Sequence, residues 1–259
     1  METQSPGART FRAAAVDPGS PLQSRHRLPR DGPVDRHRAL VETARGRSVL
    51  HLGFVDEQLE KKAEEGVWLH ARLAAVARSL VGLDSSAEGV EWARAHGYEA
   101  YVVDVQSEES VAAAGLKPAE VIVAGELIEH LDAPGPFLRA LGPLLAEDGV
   151  LVLTTPNAYR LLSFVAPLTG SEIVHGDHTA WHSPQTLRTL LGQAGWNVEA
   201  MTYYHNPIRT VPARLGGLGR VKAHLANLAR RIPALAGRLL PYWSDGIVVW
   251  ARPAGPPAP

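Results

Sequence analysis

The sequence predicts a doubly wound α/β domain built on a mostly parallel, seven-stranded sheet. Three observations lead there. Short apolar runs alternate with stretches of helical spacing, which implies βαβ units with both sheet faces covered. The first five runs stop at or beside Gly53, Asp84, Asp104, Glu126 and Asn157. Ligands of such sheets bind at those carboxyl ends. The length of 259 residues, 45% of them apolar, suits one such domain with extensions.

Residues 1–34 are rich in Pro, Gly, Arg and Ser. They read as an arm with a solvated basic end, or one that closes in a helix covering the sheet. The domain proper is expected over 35–252, with a short tail at 253–259. Strand one is the apolar run 48–52. Helical spacing follows from about 58 to 77, carried by Trp68, Leu69, Leu73 and Val76. Strand two is 79–83. A helix over 87–96 ends at Gly97, and strand three is 100–103. Strand four is 120–124. A helix is expected from about Leu127, interrupted by Pro134-Gly135 or restarted there, with Phe137, Leu138 and Leu141 on its apolar face. Strand five is 149–154. Ser183 and Pro184 are a cap and a first-turn proline. The helix that they open carries Leu187, Leu190 and Leu191 and ends at Gly195. Strands six and seven are 196–203 and 246–251.

Two stretches break the alternation, 158–182 and 205–245. They are expected to be an active-site loop and an inserted helical lid. The second carries Arg209, Arg214, Arg220, Lys222, Arg230, Arg231 and Arg238 without an acid up to Trp243. Leu218, Val221, Leu225, Leu228 and Ile232 recur in it at helical spacing. An amphipathic lid with a solvated outer face fits this pattern. So does a surface for an anionic substrate, an anionic membrane or an apolar substrate tail.

Composition excludes several classes. The formal charge is −1, so the whole chain has no basic footprint for nucleic acid. The absence of cysteine excludes disulfides, thiolate metal sites and a cysteine nucleophile. No apolar run nears the roughly 18–20 residues that span a bilayer, and no secretory h-region is seen. A cytoplasmic location is the expectation.

The strand ends suggest chemistry. Gly53 lets the backbone approach a ligand at a helix N-terminus. Phe54-Val55-Asp56 follows it, so the G-x-G-x-x-G fingerprint is absent. This argues against a nicotinamide or flavin oxidoreductase. Asp84 is placed either to accept from ribose hydroxyls or to open the next helix as a turn residue. Asp104 is placed to meet an adenine amino group or to act as an N-cap.

The segments VLHLGFVD, VGLDSS, YVVDV, EVIVAGELIEHL, GVLVLTTPN and HSPQTLRTLLGQAGW follow in that order. Together they resemble the successive motifs of class I S-adenosylmethionine-dependent methyltransferases, of the broad group that includes ubiquinone-biosynthesis and natural-product O-methyltransferases. The match spans about 47–203 and the last strand. It implies a Rossmann-like methyltransferase fold with the last strand antiparallel. It also implies cofactor contacts at Gly53, Asp84, Ser85, Asp104, Val105, Ala124 and Gly125. In the family an acid two residues before the first glycine contacts the methionine end of the cofactor. His51 stands there, and Asp56 in the same loop is the candidate substitute.

Glu126-x-x-Glu129-His130 leaves strand four and is expected to enter a helix. Positions i, i+3 and i+4 share a helix face, and two carboxylates with an imidazole suit a divalent cation such as Mg²⁺. A fourth ligand is available in His175-Gly-Asp-His178-x-x-x-His182. The arrangement resembles the metal site of small-RNA 2′-O-methyltransferases and some quinone O-methyltransferases. Carried over by motif, it selects Glu126, Glu129, His130 and His178. The metal would polarise an acceptor hydroxyl. Without metal, one histidine serves as general base. Alternatively Glu129 and His130 merely cap and pack. Trp181, Tyr203, Tyr204 and Trp243 are either pocket-lining or core aromatics.

The expected function is methyl transfer from S-adenosylmethionine to a small molecule, at a hydroxyl oxygen, with His130, His178 and Glu129 as the catalytic candidates. The acceptor is expected to be anionic or to carry an apolar tail. Two rivals remain: an RNA 2′-O-methyltransferase, and a non-catalytic scaffold that retains the fold.

Overall fold

A computed structural model describes residues 25–206, 217, 235, 237 and 239–255. The first 24 residues of the expected arm, most of the expected lid and the tail end lie outside them. The sheet has seven strands: β1 (Ser48–Leu52), β2 (Ser79–Asp84), β3 (Ala100–Val102), β4 (Ala119–Gly125), β5 (Leu145–Pro156), β6 (Trp196–Tyr204) and β7 (Gly246–Pro253). Their order is β3-β2-β1-β4-β5-β7-β6. The pairs among β1 to β5 are parallel, and β7 runs antiparallel to both β5 and β6. Strand order reverses between β1 and β4, which opens the crevice where such folds bind ligands.

Period-two alternation feeds two cores. Ile122 and Ala124 of β4, with Leu50, Leu151 and Leu153, pack under α6 (Pro134–Leu141) and α7 (Pro184–Gln193). Val121 and Val123 face the other way, onto Leu40 of α1 (Arg36–Ala44) and Leu69 and Leu73 of α3 (Leu69–Ala74). Each fully buried Leu, Ile or Phe in these layers is worth roughly 1.5–3 kcal/mol. A third cluster gathers Phe54, Trp68, Val90 and Ala93 against α4 (Ala87–Ala95). The helices at Arg36 and Pro184 start at side-chain caps, whereas α6 starts without one. Asp35 accepts from Arg38 N at 2.8 Å, and Ser183 forms a capping box with Thr186 before Pro184.

Several expectations are corrected. The single helix expected over 58–77 is two, α2 (Leu59–Glu64) and α3. Gly66 sits at φ +65°, and Val67 N and Trp68 N both close on Lys62 O. That left-handed turn stops the first helix, and Trp68 reaches over it to donate to Phe54 O. The helix expected at Leu127 is only a 3-10 turn, Ile128–His130, and Pro134 starts α6 as its own helix. β5 begins at Leu145, four residues early, because the exposed Glu147-Asp148 pair hides its first pairing with Ala119. The end of the arm is not free. Val34 N donates to Tyr203 O at 2.8 Å and Thr202 Oγ1 donates to Gly32 O at 3.0 Å, so residues 32–34 lie along the edge of β6. α5 (Glu108–Ala113), capped by Ser107, is too short to have shown a period. Among the described residues no helix is long and apolar enough to cross a membrane.

Candidate cofactor and acceptor site

A cleft of about 610 Å³ runs along the carboxyl ends of β3, β2, β1 and β4. His51, Gly53, Asp56, Asp84, Ser85, Asp104, Val105 and Gly125 all line it. Ala124 does not. It is fully buried in the core beneath, and its neighbour Gly125 takes its place at the surface of the cleft.

At the β1 end, Gly53 has φ +62° and donates its N–H to Leu83 O at 2.9 Å. A Cβ there would lie 2.9 Å from Leu127 Cδ1. The left-handed φ is what favours glycine here, since the Leu127 side-chain tip could move aside for a Cβ. Asp84 receives Val55 N on Oδ2 and Ser86 N on Oδ1, each at 2.9 Å. Burial pushes its carboxyl up, and these backbone N–H groups partly offset that. Asp84 thus both shapes the first loop and presents acceptor oxygens to the cleft. Asp104 is exposed and accepts from Gln106 N. The cap of α5 is Ser107, so the capping role considered for Asp104 does not apply.

His51 and Asp56, both in the cleft wall, each have a partner within the chain. Asp56 is engaged by Lys62 Nζ at 2.7 Å. His51 is buried and stacks on His70 with ring centroids 5.3 Å apart. Their Nδ1 atoms lie 3.1 Å apart, one donating to the other. Burial, then the His70 ring, holds the His51 imidazole far below the usual histidine range, and burial takes His70 down to about 3. Position 51 therefore holds a neutral ring where the resembled family carries an acid.

On the acceptor side, Glu126 follows β4 with φ +54°, so the chain turns away and the expected helical face of Glu126, Glu129 and His130 is not built. Glu126 Oε1 accepts from the Tyr204 hydroxyl at 2.5 Å and from Thr154 Oγ1 at 3.2 Å. Arg36, in the first turn of α1, stands 3.7 Å from the same oxygen and lines the cleft. Glu129 is buried, and its Oε2 accepts from Thr155 Oγ1 at 3.0 Å. Burial and then the Glu126 charge push Glu129 up to about 8. Its backbone oxygen anchors the incoming loop. Thr179 N donates to it at 2.8 Å, while Thr179 Oγ1 bridges Glu129 O and Leu131 O.

That anchoring brings His175 and His178 over His130. One ring nitrogen from each of the three lies within 4.8 Å of the others. Of the four expected metal ligands, His130 and His178 belong to this group. Glu126 and Glu129 are turned to Tyr204 and Thr155 instead, and His175 takes part in their stead. His178 Nδ1 is buried without a partner, and burial, then His130 and His175, lowers its pKa. His182 lies off the group, bridged to Asn157. Trp181 lies under the Arg160 guanidinium at 4.5 Å. Tyr203 is buried, and Trp243 closes a 3-10 turn over Pro241–Trp243.

Sequence reasoning missed Arg36, His70 and the link from Tyr204 to Glu126. None has a local signature, since each partner is separated from it by 19 residues or more.

A family model described as a methyltransferase domain matches residues 56–201. The chain is 30% identical over 147 residues to the ubiquinone biosynthesis O-methyltransferase of Azorhizobium caulinodans, covering 52% of this chain and 57% of that protein. It is 28% identical over 188 residues to the protein of the same name from Roseobacter denitrificans, covering 68% and 71%. The chain thus spans little more than half of the first of these relatives. Among solved structures, a SAM-dependent methyltransferase from Archaeoglobus fulgidus superposes with a TM-score of 0.51 at 18% identity, over 83% of this chain and 90% of that one. With the match over more than half its length and a seven-stranded sheet of this order, the chain belongs to the methyltransferase-domain family, on the class I S-adenosylmethionine-dependent methyltransferase fold.

Proposed function

We propose that the protein binds S-adenosylmethionine and transfers its methyl group to a hydroxyl oxygen of a small acceptor. One observation carries this reading. A single cleft joins the acids at the β3 and β2 ends to the three-histidine group above β4. Adenine then lies by Asp104 and Val105, and the ribose hydroxyls donate to Asp84. The sulfonium sits between Gly53 and Gly125, with the carboxylate of the amino-acid end toward Arg36. The relatives named as ubiquinone biosynthesis O-methyltransferases support oxygen as the methylated atom.

The acceptor oxygen attacks the methyl carbon opposite sulfur. A C–O bond forms, the C–S bond breaks, and the sulfonium leaves as a neutral thioether. In-line positioning supplies much of the rate. In the route without a metal, the hydroxyl proton passes to an imidazole of the histidine group; burial lowers the pKa of His178, which favours its neutral, proton-accepting form. In the alternative route the three imidazoles act as ligands instead, and an all-nitrogen set fits a borderline divalent ion such as Zn²⁺ better than oxygen-seeking Mg²⁺. Bound there, such an ion lowers the pKa of an acceptor hydroxyl.

The test is calorimetric titration with S-adenosylmethionine, followed by mass-spectrometric screening of hydroxylated small molecules for a methyl gain. One-to-one binding and an acceptor whose turnover falls sharply in His178→Ala are expected. Absence of cofactor binding, or methylation only at nitrogen, would overturn the reading.

A further inference from the structure

The amino-acid end of S-adenosylmethionine is a zwitterion, and its α-ammonium needs an anion. The usual position for one is filled by neutral His51, whose Nδ1 is committed to His70. Asp56 is paired with Lys62. Asp84 and Asp104 lie at the nucleoside end, at β2 and β3. Glu57 and Asp177 both flank His175 at the histidine end of the cleft, and Glu129 is buried with its pKa raised. Glu126, at the crevice between β1 and β4, is placed where the ammonium would lie.

Its geometry suits that task. Tyr204, Thr154 and Arg36 all converge on Oε1, and Oε2 has no partner among the described residues. The side chain is partly exposed and lines the cleft. Its φ of +54° is unusual for a residue other than glycine, and such backbone persists where its surroundings over-determine it. Here Glu126 N is held by Thr154 O at 2.9 Å.

We infer that Glu126 anchors the α-ammonium of the cofactor through Oε2, in place of the acid missing at position 51, with Tyr204 and Thr154 as positioning residues. This rests on the cofactor reading above. Arg36 and Glu126 then meet the two charges of the zwitterion with two opposite ones.

The experiment compares two probes by calorimetry: S-adenosylhomocysteine, and 5′-methylthioadenosine, which keeps the nucleoside and thioether but lacks the amino acid. Glu126→Gln should weaken S-adenosylhomocysteine about 10- to 100-fold, the scale of one hydrogen bond to a charged group. It should leave methylthioadenosine within about twofold, which also reports that the variant is folded. Tyr204→Phe should lose roughly 3- to 10-fold on the first probe alone, the scale of a weaker positioning bond. Unchanged S-adenosylhomocysteine affinity in Glu126→Gln overturns the inference while leaving the cofactor reading intact, and so does an equal loss on both probes. Failure of the unsubstituted protein to bind S-adenosylhomocysteine overturns the cofactor reading and this inference with it.

Discussion

The Nδ1 atoms of His51 and His70 meet 3.1 Å apart beneath the first loop of the cleft, in a stack with Phe54 and Trp68 close by. One proton is shared along that line, and the low-dielectric surroundings keep both rings neutral.

This pair makes stability depend on pH. The His70 pKa is about 3 in the fold against 6.5 for the free side chain. Between those values the unfolded chain binds more protons, so stability is fully present above about pH 6.5 and is lost as pH falls toward 3. At pH 5 the loss from His70 alone is about 2 kcal/mol. His51 and His37 act in the same sense. Urea unfolding at pH 7 and pH 5 should show the drop, and His70→Asn should flatten it. A midpoint equally pH-dependent in that variant would count against the buried neutral pair.

The histidine group should distinguish metals. Protein loaded in zinc and dialysed should retain about one ion per chain, as three imidazole ligands imply. His175→Ala or His178→Ala should release it, while Glu126→Gln should not. Retention that tracks Glu126 rather than His175 would restore the carboxylate site first expected.

Thr179 holds the loop that carries two of those histidines, through hydroxyl bonds of 3.1 and 2.9 Å to Glu129 O and Leu131 O. Thr179→Val removes both and should destabilise the fold by about 1 kcal/mol. Its larger effect should fall on the acceptor KM and on metal retention, with cofactor affinity unchanged. Equal losses in cofactor and acceptor binding would show that the anchor is not local.

Gly53→Ala places a methyl against Leu127 at a φ of +62°. Strain of about 1–2 kcal/mol is expected from the backbone alone. Cofactor affinity should fall at least about tenfold, since the loop must shift where the backbone approaches the ligand. Wild-type affinity in this variant would mean that the loop does not touch the cofactor.

Much of the fold was legible because it is local. Short, nearly continuous apolar runs mark β1, β2 and β4 as strands of a covered parallel sheet, and residues such as Gly53, Asp84 and Glu126 mark where strands end. Cleft membership of Gly53, Asp84, Asp104 and Glu126 followed from strand ends alone, because a doubly wound sheet collects them at one edge, whereas Asn157 beyond β5 does not line the cleft. Helix continuity was less legible. Apolar spacing across Trp68 and Leu69 is the same for one helix or two, and only the left-handed turn at Gly66 separates them.

The sequence by itself determined the order of elements, the edge at which ligands enter and the residue types available there. The tertiary structure alone decided their partners. Glu126 and Glu129 looked like metal ligands by spacing, but a positive φ denies them a shared face and turns them to Tyr204 and Thr155. His175 joins His130 because Thr179 ties two distant segments together. Spacing along a chain fixes direction only inside a regular helix or strand. Where the backbone turns, as it does after β4, side-chain direction is set by the long-range bonds that hold the turn.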